Sequence, residues 1–427
     1  MDLEFDQSAL AQEIEAARIF ATLEAALSKV LQLTPRIRDP EVYGRKLFVR
    51  SLDRVIPYLA GALKLDGKPT AAKSNARVCI VATEFYGVGG HTRVARDLIA
   101  GLGPDHRPII ALTNAASGSL HYRQLLQDTS LLTSLPADGL IVLSARSFIE
   151  RAQELHQILK AAKPTRILLF CHPYDIVAVA ALWPFRDIVE FVHHVDHVPA
   201  LGATLPWAAH VDVTYACHQA CRAAGLDAVF ASMTSPVVEA ERHVRDPGRL
   251  RFATCGHHLK YSGGNRHRWT DYAVAALRVP GAEFVHIGDV PEAMQAEIQQ
   301  ALAAGEIDPA RYVFAGPKTS LPAALIEART DIYLSSYPTN GSKADLEAMF
   351  AGIPVIAPSD PDGLPLLRFA LPLQSYVDVQ SPESFGRAVE KALALGEAMG
   401  GAEQLAALRA EIDRFSDFVA GRPLSPA

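Results

Sequence analysis

The sequence predicts an α/β chain: two doubly wound, Rossmann-like units facing a cleft, preceded by an all-helical extension. Three observations carry this prediction. From Arg77 onward short apolar runs alternate with amphipathic stretches, the alternation restarts once after a Pro-containing connection at Pro236–Pro247, and the first 70 residues show helical periodicity with no strand signal. Such alternation is the signature of βαβ units and of a parallel sheet covered on both faces.

In the extension, Ile14, Ala17, Ile19, Leu23, Leu27, Val30 and Leu31 recur at helical spacing until Pro35 and Asp39-Pro40 break the run. A second helical stretch is expected over Glu41–Leu65, and Gly67-Lys68-Pro69 marks a linker. The first unit follows, with strands expected in VCIVAT, RPIIALT, GLIVLS, RILLFC, DIVEFV and VDVTYA; LRFATC, AEFVHIG, RYVFAG, DIYLSS and IPVIA supply those of the second. The domains are thus 1–70 (helical extension), 71–240 and 241–400 (the two Rossmann-like units) and 401–427 (C-terminal helix and tail). Helical stretches from Pro382 to Val419 are expected to pack back across both units.

Composition narrows the function classes. A chain of 427 residues with 49% hydrophobic content can bury sizeable cores, and its net charge of −6 lacks the basic face that nucleic-acid binding needs. No apolar run approaches the roughly 18 residues that span a bilayer. The acidic, amphipathic start MDLEFDQSALAQEIEAA is the wrong pattern for a secretory signal, and five sparse cysteines read as reduced thiols, so the expected location is cytoplasmic. Cys217, His218 and Cys221 sit close on a predicted helix, but no second Cys/His cluster stands at zinc-finger spacing, so inert packing is expected.

The chemistry concentrates at the ends of predicted strands. SSYPTNGSKADLEAMFAGIPVI (Ser335–Ile356) reads as a strand end, a polar Gly-containing loop, a helix and a sharp turn at Gly352. This order puts the backbone N–H groups of Gly341, Ser342, Lys343 and Ala344, after Asn340, at a helix N-terminus suited to phosphate. Glu347, about a turn further on, is placed to hold ribose hydroxyls. Lys260, in the loop after LRFATC, can meet a diphosphate as a point charge, and the turn at Gly316 with Lys318 beyond it can present backbone groups to a base.

The remaining candidates lie in the first unit. In FYGVGGHTRVARDL, Gly89 and Gly90 allow close backbone approach before a helix beginning near His91; the spacing is not that of a dinucleotide fingerprint. FVHHVDHVPALG places His193, His194, Asp196 and His197 at a sheet's C-terminal edge, as a catalytic base with its orienting carboxylate or, alternatively, as metal ligands. His172, in Cys171-His172-Pro173, ends a neighbouring strand and is either a substrate contact or a loop histidine.

Together these segments resemble the GT-B fold glycosyltransferases over most of residues 77–420. GVGGHTRVARDL resembles the glycine-rich acceptor-side loop of GT4-type enzymes, and SYPTNGSKADLEAMFAGIPVI is similar to their donor-binding signature, whose last Glu matches Glu347. Where that signature has an earlier Glu, eight positions before, this chain has Thr339. FATCGHHLKYS is closer to the GT41-like group, which includes O-GlcNAc transferases and bacterial protein glucosyltransferases, and whose diphosphate-contacting lysine matches Lys260; the tetratricopeptide array of many members is absent.

The resemblance implies an inverting, metal-independent hexosyl- or N-acetylhexosaminyltransferase that moves a sugar from a UDP-sugar to a protein or glycan, with no cofactor beyond that co-substrate. No nucleic-acid partner is expected. The N-terminal helices are read as an oligomer- or partner-docking element, and peripheral membrane association stays open. A UDP-sugar epimerase of the same fold and a non-catalytic nucleotide-sugar-binding subunit remain as alternatives.

Overall fold

The computed structural model describes residues 24–25, 27–28, 47–65, 77–85, 90–102, 108–115, 139–235, 245–246, 248–263, 266–359, 376–398 and 402–422. The chain divides into two compact units, Met1–Ser232 with Ser416–Ala427, and Met233–Phe415. Most of the extension expected over residues 1–70 lies outside the described residues, as does Gly89.

What is described of that extension is built into the first unit. Residues 24, 25, 27 and 28 are helical, and the Glu24 carboxylate accepts from the backbone N–H groups of Phe148 (2.8 Å) and Ile149 (3.0 Å). The second predicted helix is two short ones, α1 (Arg50–Asp53) and α2 (Ile56–Ala62), after a parallel bridge between Phe48 and Ala200. Asp53, 2% exposed, accepts from the N–H of Gly202 (2.6 Å) and of Thr204 (2.9 Å), so this segment is stitched to the fold by charge-assisted bonds.

The first unit continues through β1 (Val78–Ala82), α3 (Gly90–Leu102), β2 (Ile109–Leu112), β3 (Leu140–Val142), α4 (Phe148–Ala162), β4 (Arg166–Phe170), α5 (Ile176–Leu182), β5 (Val189–His193), β6 (Ala209–Asp212), α6 (Tyr215–Ala223) and β7 (Ala228–Phe230). Among the described residues its seven strands are parallel in the order β3-β2-β1-β4-β5-β6-β7. Central β1 is buried at every residue, as a strand covered on both faces must be. A capping box of Ser147 and Glu150 starts α4, a device worth about 1 kcal/mol. Asp175 caps α5 through the N–H of Ala178 (2.8 Å), while its other oxygen takes the hydroxyls of Thr83 (2.6 Å) and Thr113. That fully buried carboxylate, raised above its usual pKa by burial, ties the ends of β1 and β2 to the start of α5.

The second unit contains β8 (Leu250–Cys255), α7 (Trp269–Leu277), β9 (Ala282–Ile287), α8 (Glu292–Ala304), β10 (Tyr312–Gly316), α9 (Leu321–Glu327), β11 (Ile332–Leu334), α10 (Lys343–Phe350), β12 (Val355–Pro358), β13 (Tyr376–Val379) and α11 (Phe385–Ala398). Among the described residues its six strands, all parallel, run β10-β9-β8-β11-β12-β13. The core packs Phe252, Trp269, Tyr272, Phe284, Tyr312 and Phe385, with Phe284 and Tyr312 stacked at 4.6 Å. The last helix, α12 (Ala402–Val419), ends in residues that belong to the first unit, where Arg166 donates to the carbonyls of Val419 (2.6 Å) and Phe418 (2.7 Å).

Both sheets start in the middle, build outward to one edge, then return to build the other. The order reverses between β1 and β4 in the first unit and between β8 and β11 in the second. In such sheets ligands bind beyond the carboxyl ends of the strands at that switch point.

Candidate functional site

At the first unit's switch point three histidines from three strand ends converge. His91 lies in the first turn of α3 after β1, His172 follows β4, and His194 follows β5. The His91 ring stacks on Phe170 at 4.4 Å and 7°, with the rings of His172 and His194 at 4.8 and 4.9 Å. Hydrogen bonding assigns the protons. His194 Nδ1 lies 3.2 Å from the Val192 carbonyl, which can only accept, so Nδ1 carries the hydrogen and Nε2 the lone pair. That lone pair, 3.0 Å from His91 Nδ1, takes the His91 hydrogen and leaves the lone pair of His91 on Nε2. His91 Nε2 is buried, with no hydrogen-bond partner among the described residues.

All three imidazoles are held neutral. Burial, then the neighbouring histidines, pushes His91 well below its ordinary value; burial drives His172 to about 4 and His194 to about 3, against the opposing Glu84 and Val192 carbonyl respectively. Neutral imidazoles at neutral pH can accept a proton, at the cost of low basicity.

The other residues of the HHVDH segment go elsewhere. His193 is 1% exposed and faces Asp212 and Cys221, at 3.3 and 3.5 Å from its Nδ1. Asp196 is buried, 3.2 Å from Nδ1 of the half-buried His197. Gly90 opens α3 at the surface.

At the second unit's switch point, Lys260 sits in the short turn His258–Tyr261 after β8. Its ammonium donates to the carbonyls of Asn340 (2.9 Å) and Gly341 (3.3 Å), and its own carbonyl accepts from Thr339 N–H (3.2 Å). The two loops predicted to meet a diphosphate are therefore bound to each other. The loop before α10 is braced from within: Gly341 N–H donates to Ser335 Oγ (3.0 Å), which donates to Asp345 (3.0 Å). A Cβ on Gly341 would lie 2.3 Å from an Asp345 oxygen, so glycine is required by space. Ser342, at φ 49° and ψ −103°, occupies backbone territory that L residues rarely enter, and such outliers gather at ligand-binding loops.

Helix α10 is unusual in its burial. Lys343, Asp345 and Glu347 are 5%, 0% and 4% exposed, and charged side chains are almost never this buried unless paired. Lys343 Nζ donates to the Thr234 carbonyl, and Ala344 N–H to the Gly341 carbonyl. The phosphate-facing role expected of these N-terminal groups is accordingly narrowed: the N–H groups of Gly341 and Ala344 are engaged within the loop.

Gly316 ends β10 at φ 67°, with its carbonyl accepting from Gly288 N–H (3.0 Å), and Lys318 is exposed beyond it. Gly288, at φ 132°, would place a Cβ 2.8 Å from the Gly256 carbonyl. Glycines thus stand just past β8 and β9 and at the end of β10, a run of bare backbone of which only Gly316 is singled out in the sequence. Asp345 and Ser335 lie inside the Ser335–Ile356 segment but are not singled out in it; their only signal is an acidic residue in the first turn of the helix and a serine at the strand end.

No protein-family model matches the chain, and no curated protein sequence matches it. Solved structures do. The lipopolysaccharide outer core galactosyltransferase WaaB, in its apo form, superposes with a TM-score of 0.53 at 15% identity, over 81% of this chain and 96% of that one. HepE of Anabaena, solved in complex with UDP, gives 0.55 at 14% identity over 81% and 97%. A glycosyltransferase from Rickettsia africae gives 0.54 at 11% over 81% and 96%. The fold of this chain is the GT-B fold of glycosyltransferases, two Rossmann-like units each built on a parallel sheet.

Proposed function

We propose that the chain is a glycosyltransferase that moves a hexose or N-acetylhexosamine from a nucleoside diphosphate sugar, a UDP-sugar first, to a hydroxyl or amide of a protein or glycan. One observation carries the reading: the Lys260 ammonium rests on the loop that leads into α10, whose buried Glu347 follows within two turns. A cation beside a helix N-terminus suits a leaving diphosphate, and stabilising the charge that grows there contributes most to lowering the barrier of such a transfer. Glu347 accepts ribose hydroxyls, and the glycine-lined ends of β8–β10 receive the base. The complex of HepE with UDP supports the choice of nucleotide.

In the transfer the acceptor's hydroxyl oxygen or amide nitrogen bonds to the anomeric carbon as the bond to the diphosphate oxygen breaks, with inversion. UDP leaves with the electron pair, and the acceptor's proton passes to His91 Nε2. His194 then acts as a positioning residue that fixes the tautomer of His91. In this reading the transfer needs no metal.

Calorimetric titration with UDP tests the donor site. Charge-assisted hydrogen bonds contribute about 1.5–3 kcal/mol each, so Glu347→Gln and Lys260→Ala are expected to weaken UDP at least about tenfold. Unchanged affinity in both, with unchanged folding, overturns the assignment. His91→Asn is expected to lower turnover at least about a hundredfold while UDP affinity stays intact; full activity in that variant removes the base.

A further inference from the structure

A second cluster in the first unit stands outside the transferase reading. Two parallel strands end side by side with His193 of β5 in register with Asp212 of β6, and Cys221 reaches the same point from α6. His193 Nδ1, Asp212 Oδ1 and Cys221 Sγ lie within 4.8 Å of one another, all three residues buried. The separations are 3.3 Å (N to O), 3.3 Å (S to O) and 3.5 Å (S to N).

Those lengths are close to the edges of a zinc tetrahedron. With zinc about 2.0 Å from nitrogen and oxygen and about 2.3 Å from sulfur, tetrahedral angles require edges of about 3.3 Å (N to O) and about 3.5 Å to sulfur. A point equidistant from the three atoms of a triangle with these sides (3.3, 3.3 and 3.5 Å) lies about 1.9 Å from each. An ion just off that plane meets all three at normal bond lengths with little movement.

The carboxylate is also oriented from the helix side: His218, three residues before Cys221 on α6, pairs its Nδ1 with the second Asp212 oxygen at 3.4 Å, which leaves Oδ1 facing His193 and Cys221.

We propose that His193, Asp212 and Cys221 bind one zinc ion that clamps β5, β6 and α6. Cys217 is not part of the site, since its thiol donates to the Val195 carbonyl at 3.6 Å.

The test uses the full chain without a histidine tag. The metal-free protein is titrated with Co2+, and zinc is measured in protein purified from zinc-supplemented cells. Expected are one zinc per chain, a near-ultraviolet thiolate-to-cobalt charge-transfer band, and displacement of cobalt by zinc. Cys221→Ser is expected to abolish that band and weaken the metal at least tenfold, while Cys217→Ser keeps both. If Cys221→Ser misfolds, Asp212→Asn serves in its place, with the band kept and affinity reduced at least tenfold. A folded wild-type chain without zinc and without the band overturns the proposal, as does a band that survives Cys221→Ser. Neither outcome touches the UDP titrations, so this inference and the transferase reading fail separately.

Discussion

Gly341→Ala isolates the geometry of the proposed phosphate loop in a single methyl group. The backbone at Gly341 does not require glycine's freedom, so the obstacle is space. The new Cβ would sit 2.3 Å from Asp345 Oδ1 and 2.9 Å from its Cγ. Asp345 is 0% exposed, and its other oxygen holds the hydroxyl that Gly341 N–H itself donates to. The carboxylate cannot swing into solvent, and any shift breaks that chain of bonds. Overpacking costs about 1–3 kcal/mol, and one lost buried hydrogen bond about 1 kcal/mol, so about 2–4 kcal/mol is expected. For a unit of this size that is a fall in melting temperature of roughly 5–15 °C. Differential scanning calorimetry reads it, and a parallel UDP titration should show at least about tenfold weaker binding. Ser335→Ala, which removes the hydroxyl link without adding volume, should cost less. A Gly341→Ala protein that melts and binds UDP like the wild type would refute both the tight approach of Asp345 and the role given to this loop.

Two further outcomes are expected. Ser342→Gly relieves the strained backbone at φ 49° and should raise the melting temperature by an amount near 1 kcal/mol, after the entropy that glycine adds to the unfolded chain; a lower melting temperature would show that the serine side chain outweighs the strain. The histidine cluster should make the first unit acid-sensitive. With the pKa of His172 depressed to about 4 and of His194 to about 3, and His91 also well below its ordinary value, the unfolded chain binds protons below about pH 6.5 that the folded unit refuses. Stability is therefore intact above pH 6.5 and falls as pH drops through 6 and 5, each group contributing at most about 1.4 kcal/mol per pH unit. Melts followed by Trp183 and Trp207 in a Trp269→Phe background should show that slope, shallower in His194→Gln; a flat profile from pH 7 to 5 would refute neutral burial.

How far the sequence reveals this molecule depends on where each residue lies in its sheet. Interior strands are legible because burial on both faces demands an unbroken apolar run, as in Val78–Ala82 and Arg166–Phe170. The two strands absent from the sequence expectation, β7 and β13, are edge strands with one neighbour each, and their residues alternate or face solvent. The VDVTYA run overreaches for another reason: Thr214 accepts from Cys217 N–H and starts α6, so the β-branched residue that looks like strand is a helix cap.

At the site, candidates expected at strand ends stand at strand ends, but their grouping is not legible. His193 and His194 are adjacent in sequence and point to different neighbours, because successive residues leaving a strand take opposite faces. One joins His91 and His172, each from a separate strand end; the other joins Asp212 and Cys221. Parallel register decides the second grouping. Once β5 and β6 are neighbours and both end at the same level, His193 must stand beside Asp212, although 19 positions apart in the chain. The histidine segment holds no cysteine of its own, so no thiol is legible there; the register brings Cys221 to it from the following helix. Helix α10 shows the same limit from the other side. Lys343 and Glu347 are legible in the sequence as donor-site candidates, but that Asp345 and both of them are held away from water, where each must be matched by a fixed partner or by a ligand, shows only in their burial.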